Sequence, residues 1–283
     1  MSWKETAKLW ESFEALEEGL KVQLQSMDDT QKEEAFYTPL EFGTAGMRGI
    51  VGPGINRMNT YTVRQATEGL SRLIESYGEE AKKRGVAIAY DSRHFSPEFA
   101  MESARTLATH GIASYVFESL RPTPELSFAV RHLHTFAGIM ITASHNPAAY
   151  NGYKVYGEDG GQMPPKDADA LTAYVRQVDD EALEASGLVT IIGKDVDDAY
   201  LKEIKTVSVN PKLLSDVEGL SVVYTPLHGT GLMLVEKALE QANFKGLHVV
   251  QEQAMPDGDF STVKSPNPEE AGAFEYAVEL GKK

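Results

Sequence analysis

The sequence contains no cysteine among its 283 residues, which excludes a disulfide framework and a thiolate metal site. No apolar run approaches the roughly 18 residues that a membrane-spanning helix needs. The first residues are charged and lack the apolar core of a signal peptide. These absences predict a cytoplasmic protein that has no membrane partner.

Positive charge is scarce as well. The sequence has 27 Lys and Arg residues and 42 Asp and Glu residues, so the formal net charge is −15. That balance argues against nucleic acid as a partner, because duplex binding depends on many Lys and Arg contacts to phosphates. A small anionic substrate is compatible with it, since a few cations focus a local field within one cleft. The sequence leaves the oligomeric state open.

Strands and helices alternate along most of the chain. An apolar spacing of three and four from Trp3 to Leu24 predicts one amphipathic helix, followed by a glycine-rich loop over residues 40–59 and a helix over 62–83. Ser96 is the predicted N-cap of the next helix. Short apolar runs predict strands at 86–90, 112–117, 137–142 and 189–192, and helices are predicted at 125–133, 166–178 and 196–205. The pattern indicates an α/β fold with a mostly parallel sheet and flanking helices.

The stretch 207–220 interrupts this periodicity with Pro, Asn and Ser and is the predicted domain boundary. Beyond it lie only two predicted strands, a helix over 232–242 and a final helix that starts near Pro268. Two strands do not make a sheet with both faces covered. We therefore predict one complete domain over 1–206 and an incomplete second domain over 207–283.

Ser144 directly follows the buried strand "AGIMIT", at the carboxyl edge where α/β proteins bind ligands. One interpretation is that Ser144 and Asn146 only cap a turn before Pro147. A serine-hydrolase site does not fit, because no G-x-S-x-G elbow surrounds this serine. Phosphoryl transfer fits better: a serine oxygen carries the group, and His145 and Lys154 are close in sequence.

"TASHNP" (142–147) followed by "YNGYKV" (150–155) resembles the active-site signature of the α-D-phosphohexomutases, the phosphoglucomutase and phosphomannomutase family. Other matches occur in the same order as in that family: "EFGTAGMRG" (41–49), "AYDSRHFSPEFA" (89–100), "RPTPELSFAV" (121–130) and "SPNPEE" (265–270). The variants "FGTAGMRG" and "TPLHGTG" are most similar to the bacterial α-phosphoglucomutase branch. The resemblance implies one complete phosphohexomutase-type domain and part of a second.

The resemblance also implies residue roles. Ser144 would be the phosphoserine, and Arg48 and Lys154 would flank the transferring group, one as general base and the other stabilising charge. His145 would help to orient or protonate. Arg93 and His228 are weaker candidates for substrate contact, since each is at least as well explained as a satisfied structural group.

The family binds Mg²⁺ through three aspartates of an Asp-x-Asp-x-Asp-Arg loop, with the phosphoserine as a further ligand. Asp257 and Asp259 do not reproduce that loop, because Ser261 and Thr262 replace the third aspartate and the arginine. We interpret them as a solvated acidic turn and expect the true ligands beyond Lys283. With the phosphoserine alone, we expect no bound Mg²⁺ at Ser144 in this chain.

Three functions follow as hypotheses. In the first, the parent protein interconverts glucose 1-phosphate and glucose 6-phosphate, with Mg²⁺ as cofactor and glucose 1,6-bisphosphate as intermediate and activator. In the second, the chain is an inactive N-terminal fragment or a binding module. In the third, it acts on other small sugar phosphates, as a phosphopentomutase or phosphomannomutase.

Overall fold

The predicted alternation of strands and helices folds into two separate sheets in the computed structural model, which describes residues 2–43, 46–163, 169–173, 188–217 and 219–283. The strands are β1 Met47–Ile50, β2 Val86–Tyr90, β3 Ser114–Phe117, β4 Ala137–Ile141, β5 Tyr150–Tyr156, β6 Val189–Ile192, β7 Val222–Tyr224 and β8 Leu247–Val249. The α-helices are α1 Trp3–Ser12, α2 Glu18–Ser26, α3 Asp29–Phe36, α4 Thr60–Ser76, α5 Glu79–Arg84, α6 Ser96–Thr109, α7 Thr123–His132, α8 at 169–173, α9 Lys194–Thr206, α10 Pro211–Asp216, α11 Leu232–Gln241 and α12 Glu275–Gly281.

The first sheet has the strand order β1-β5-β4-β2-β3-β6. Strands β4, β2, β3 and β6 run parallel, whereas β5 is antiparallel to both of its neighbours, β4 and β1. One face is buried beneath α4 and α6, and the other beneath α7 and α9. The predicted α/β class with a mostly parallel, helix-covered sheet is confirmed.

The second sheet consists of the parallel pair β7 and β8. Helix α11 connects these two strands, and α12 follows at the C-terminal side. The two sheets are separated in sequence by α9, the stretch 207–220 and the short helix α10 within it. Among the described helices, none is both long and apolar enough to cross a membrane.

The predicted single helix from Trp3 to Leu24 is wrong, because the helix is interrupted between the end of α1 at Ser12 and the start of α2 at Glu18. Tyr61 explains the break: its hydroxyl accepts a hydrogen bond from the Glu17 N–H at 3.2 Å and donates one to the Ala15 carbonyl at 3.1 Å. A tertiary contact thus satisfies backbone groups that a continuous helix would satisfy internally.

Other predicted boundaries also change. Residues 47–50 form strand β1 rather than a loop, because β5 supplies a pairing partner. The helix predicted over 62–83 divides at Gly78, whose φ of 90° does not fit a helix. Ser96 is the first residue of α6 rather than its N-cap, and the last helix begins at Glu275 instead of near Pro268. Of the helix predicted at 166–178, only 169–173 lies within the described residues.

Helices α4 and α6 are joined by a charged contact at the end of α6. His110 Nε2 lies 2.7 Å from Glu68 Oε2, and His110 Nδ1 lies 2.9 Å from Glu75 Oε1. The hydrogen bond with Glu68 raises the pKa of His110; burial opposes this shift, and the bond with Glu75 adds to it. Both carboxylates therefore favour the imidazolium form.

This contact predicts a pH-dependent stability. Because the folded-state pKa of His110 is raised, its contribution is fully present below the unfolded value of about 6.5 and is lost as pH rises through the folded pKa. We expect His110→Gln to lower the free energy of unfolding by about 1–3 kcal/mol at pH 6 and by clearly less at pH 8.5. Urea unfolding at the two pH values measures this difference; an equal loss at both would contradict the charged contact.

Candidate active site

Ser144 lies three residues beyond the end of β4, at the carboxyl edge of the first sheet, and its side chain is exposed. Its φ of 56° is in the left-handed region, which is unusual for a residue other than glycine. The Ser144 N–H donates to the Thr142 hydroxyl at 2.9 Å. A serine held in this strained turn presents its hydroxyl to solvent instead of to the sheet.

Strand β5 places Lys154 and Arg48 on one face of the sheet. Lys154 is directly opposite Met140 of β4, and Arg48 of β1 is directly opposite Gly152 of β5. Gly152 and Lys154 are two residues apart, so the two cations point to the same side as diagonal neighbours. Met140 lines the cleft at Ser144, which assigns this face to the cleft side.

Gly152 makes this arrangement possible through close packing. A Cβ at this position would lie 2.7 Å from the Thr142 carbonyl oxygen, 2.9 Å from the Met47 carbonyl oxygen and 3.5 Å from the Arg48 Cβ. Two of these atoms belong to the backbone and do not yield to a side chain. Only glycine lets β1 and β4 approach β5 this closely at the site.

The charges on this face interact. Burial and the neighbouring Arg48 lower the pKa of Lys154, whereas Asp91 acts in the opposite direction. Asp91 directly follows β2 and is itself largely buried, which raises the pKa of its carboxyl group. A lysine with a lowered pKa releases its proton more readily and is suited to accept one from a substrate hydroxyl.

The residues next to Ser144 complete the loop. The Ser144 hydroxyl lies 3.3 Å from His145 Nδ1. Arg48 Nη1 donates to Asn146 Oδ1 at 2.9 Å, so β1 is tied directly to the serine loop. Ser144 and His145 thus contact each other, Arg48 contacts the same loop through Asn146, and Lys154 lies on the same face of the sheet as Arg48.

Arg93 and His228 have a different character. The Arg93 guanidinium is buried beneath the loop and donates to its backbone carbonyls. His228 is buried, with Nδ1 2.9 Å from the Met255 carbonyl oxygen and Nε2 2.8 Å from the Thr262 hydroxyl. Both residues bind protein groups, which fits the structural alternative of the two that the sequence left open, although Arg93 Nε is buried without a hydrogen-bond partner.

Asp257 and Asp259 are engaged with protein partners. Asp257 accepts hydrogen bonds from the Asp259 N–H, the Ser261 N–H and the Ser261 hydroxyl, and the bonds from Ser261 contribute most to lowering the pKa of Asp257 to about 2. Asp259 Oδ1 lies 2.7 Å from His94 Nε2. This acidic turn thus also has a structural role, because Asp259 joins it to the loop that follows β2.

The described residues do not form a complete magnesium site. None of their His, Asp and Glu side chains come together in a group of three or more that could hold a metal ion. Around Ser144 the nearby charged groups include the two cations Arg48 and Lys154, which repel a metal ion. Mg²⁺ requires several oxygen ligands in near-octahedral geometry, and the Ser144 hydroxyl alone does not provide them.

Ser144 opens onto a cleft of about 350 Å³ between the edge of the first sheet and loops of the second unit. The walls include Asp91, Ser92 and Thr123 from the first unit and Thr230 and Phe260 from the second. The sequence interpretation assigned none of these five residues to the site. Asp91 and Ser92 were detectable, because they follow a strand that ends at the same edge as Ser144.

Comparison with known proteins agrees with this geometry. Residues 39–182 match the model of the phosphoglucomutase/phosphomannomutase α/β/α domain I, and residues 198–283 match the model of domain II. The chain therefore belongs to the phosphoglucomutase/phosphomannomutase family, and the predicted resemblance is confirmed.

Individual relatives make the relationship more specific. The chain is 41% identical over 267 residues to the phosphoglucomutase of Staphylococcus aureus strain USA300, an alignment that covers 92% of this chain and 47% of the relative. It is similar, with a TM-score of 0.73 and 26% identity, to the crystal structure of a "putative phosphomannomutase" from Thermus thermophilus, covering 86% of this chain and 52% of that one. A family protein from Burkholderia thailandensis shares the fold at a TM-score of 0.65 and 20% identity. The chain spans about half the length of these relatives.

Two substitutions test the charge arrangement around Lys154 in opposite directions. Removal of the neighbouring cation in Arg48→Gln is expected to raise the pKa of Lys154, and removal of the neighbouring anion in Asp91→Asn to lower it further. NMR titration of the lysine side chain, labelled by reductive ¹³C-methylation, measures both. Shifts of the same sign in the two variants would contradict this arrangement.

Proposed function

We propose that this chain carries the phosphoserine site of an enzyme that interconverts glucose 1-phosphate and glucose 6-phosphate. The observation that supports the proposal best is the exposed, strained Ser144 at a cleft, with Arg48 and Lys154 on the adjoining face. A serine phosphate carries a charge of about −1.5 to −2 at pH 7, and two cations offset most of it.

In the proposed reaction, a free hydroxyl of the bound sugar phosphate attacks the phosphorus on Ser144. The new bond joins the sugar oxygen to phosphorus, the bond between Ser144 Oγ and phosphorus breaks, and Lys154 accepts the hydroxyl proton. The product is glucose 1,6-bisphosphate. After it turns over in the cleft, its other phosphoryl group returns to Ser144, and the remaining monophosphate is the isomer of the substrate.

The other residues act on charge and position. The Arg48 guanidinium offsets the charge on the transferring phosphoryl group, and its bond to Asn146 fixes the loop that carries the serine. His145 lies within reach of Oγ and donates a proton to that oxygen when its bond to phosphorus breaks. Glucose 1,6-bisphosphate acts as activator, because it phosphorylates Ser144 when the intermediate escapes.

We further propose Mg²⁺ as the cofactor of the complete site, where it would offset phosphoryl charge. One oxygen of the serine phosphate would be a ligand. The other ligands would come from outside the described residues, because those residues contain no cluster suited to a metal ion.

Serine loss is the direct test. In protein expressed from the complete coding sequence, Ser144→Ala is expected to reduce mutase turnover by roughly four orders of magnitude or more, since the group-transfer step loses its acceptor. Ser12→Ala, the same chemical change in helix α1, is the control and is expected to keep full activity. Mass spectrometry is expected to find phosphate on Ser144 of the wild-type protein. Full activity of Ser144→Ala would refute the proposal.

The rival functions separate in one assay series. Coupled assays with Mg²⁺ and trace glucose 1,6-bisphosphate compare glucose 1-phosphate, mannose 1-phosphate and ribose 1-phosphate. We expect kcat/KM to be highest for glucose 1-phosphate. Preference for ribose 1-phosphate or mannose 1-phosphate would favour a phosphopentomutase or phosphomannomutase. Turnover by the 283-residue chain alone would exclude the inactive fragment or binding module.

A further inference from the structure

The Arg93 guanidinium lies directly beneath the loop that carries Ser144, and its side chain is fully buried. Nη1 donates to the carbonyl oxygens of Pro147 and Tyr150, each at 2.9 Å. Nη2 donates to the carbonyl oxygens of Ser144 at 3.0 Å and Asn146 at 2.6 Å. One side chain therefore joins four backbone positions between residues 144 and 150.

Arg93 is itself fixed from two sides. Its Nε lies 3.3 Å from Asp91 Oδ2, and Asp91 Oδ1 accepts bonds from the Arg93 N–H at 3.0 Å and from the Ser96 hydroxyl at 2.8 Å. The ring of Phe260, from the second unit, lies 5.1 Å from the guanidinium carbon. An arginine held by a carboxylate and an aromatic ring has little freedom to change its rotamer.

The donors of Arg93 all face protein groups. A guanidinium has five N–H groups in a fixed plane. The four on Nη1 and Nη2 match the four loop carbonyls. The one on Nε makes no hydrogen bond, but it is buried and lies 3.3 Å from Asp91 Oδ2 as an ion-pair contact. No donor is exposed to a substrate phosphate, because the whole side chain is buried, so the effect of Arg93 on the reaction has to pass through the loop.

We propose that Arg93 is the positioning residue that holds Ser144 in its left-handed conformation for phosphoryl transfer; this inference rests on the proposed function of Ser144. A strained residue persists only where its surroundings fix it from several directions. The bond to the Ser144 carbonyl fixes that residue directly, and the other three bonds fix the rest of its loop. A lysine at 93 would keep the positive charge but has no planar fork with which to bridge four carbonyls.

The test compares two equally buried arginines. Arg121 has the same 1% exposure as Arg93 and binds Asp197 through two hydrogen bonds of 2.7 and 3.0 Å, but it does not bond to the serine loop. Arg93→Lys and Arg121→Lys therefore make the same chemical change at the same depth. Both are prepared in protein expressed from the complete coding sequence and measured by steady-state kinetics, thermal denaturation and ³¹P NMR of the serine phosphate.

We expect Arg93→Lys to lower kcat about a hundredfold, as for a misplacement of the reacting group by about 1 Å, with KM changed by less than about threefold. The ³¹P resonance of the serine phosphate should shift or broaden. Arg121→Lys should lose comparable thermal stability while its ³¹P resonance and its kcat per folded molecule stay at wild-type values. A raised KM with unchanged kcat would overturn the proposal in favour of substrate binding, and equal effects of the two variants would overturn it in favour of general stability.

Asp91→Asn provides a second test if Arg93→Lys does not fold. It keeps Arg93 but removes the charge that lies 3.3 Å from Nε, and we expect the ³¹P resonance of the serine phosphate to shift or broaden relative to the wild-type protein. An unmoved resonance would overturn the proposal. A failure of the proposed function of Ser144 can be told apart from a failure of this inference. In the first case, the wild-type protein would show no serine phosphate resonance at all.

Discussion

The antiparallel insertion of β5 between β1 and β4 is the constraint on which the site depends. Without it, the cation at position 48 would have no fixed relation to a serine at position 144. The register of β5 sets both neighbours at once, because Gly152 faces Arg48 and Lys154 faces Met140. The absence of a side chain at Gly152 lets the three backbones approach. Strand β5 thus brings β1 and β4, which are distant from each other in sequence, together in one continuous surface.

The charges at this surface differ from the charge of the whole chain. With a formal net charge of −15, the protein repels anions at a distance, yet Arg48 and Lys154 share one face beside the cleft. Burial and the repulsion from Arg48 lower the pKa of Lys154, and Asp91 limits that effect. Binding of the proposed anionic substrate would therefore depend on the local field of the cleft, against the net charge of the chain.

The second unit contributes to the cleft although Ser144 belongs to the first. Asp259 contacts His94, and Phe260 lies against Arg93, so the turn around residues 257–261 packs on the segment that supports the serine loop. The N-terminal helices α1–α3 precede the region matched by the domain I model and attach through a separate apolar cluster and Tyr61. The cleft thus combines two units, whereas the N-terminal helices pack against Ile55 and Tyr61 of the first.

The sequence by itself determined the fold class, the family and the candidates around Ser144, because apolar periodicity and contiguous motifs are local properties of the chain. It also indicated that Asp257 and Asp259 do not reproduce a metal loop. Only the tertiary structure decided that residues 47–50 form a strand and that Tyr61 divides the first helix. It also decided that Arg93 binds four backbone carbonyls, where the sequence had left a structural role and a substrate contact open. Each of these depends on partners far away in sequence, and hydrogen bonds between distant segments leave no periodic signal in either one.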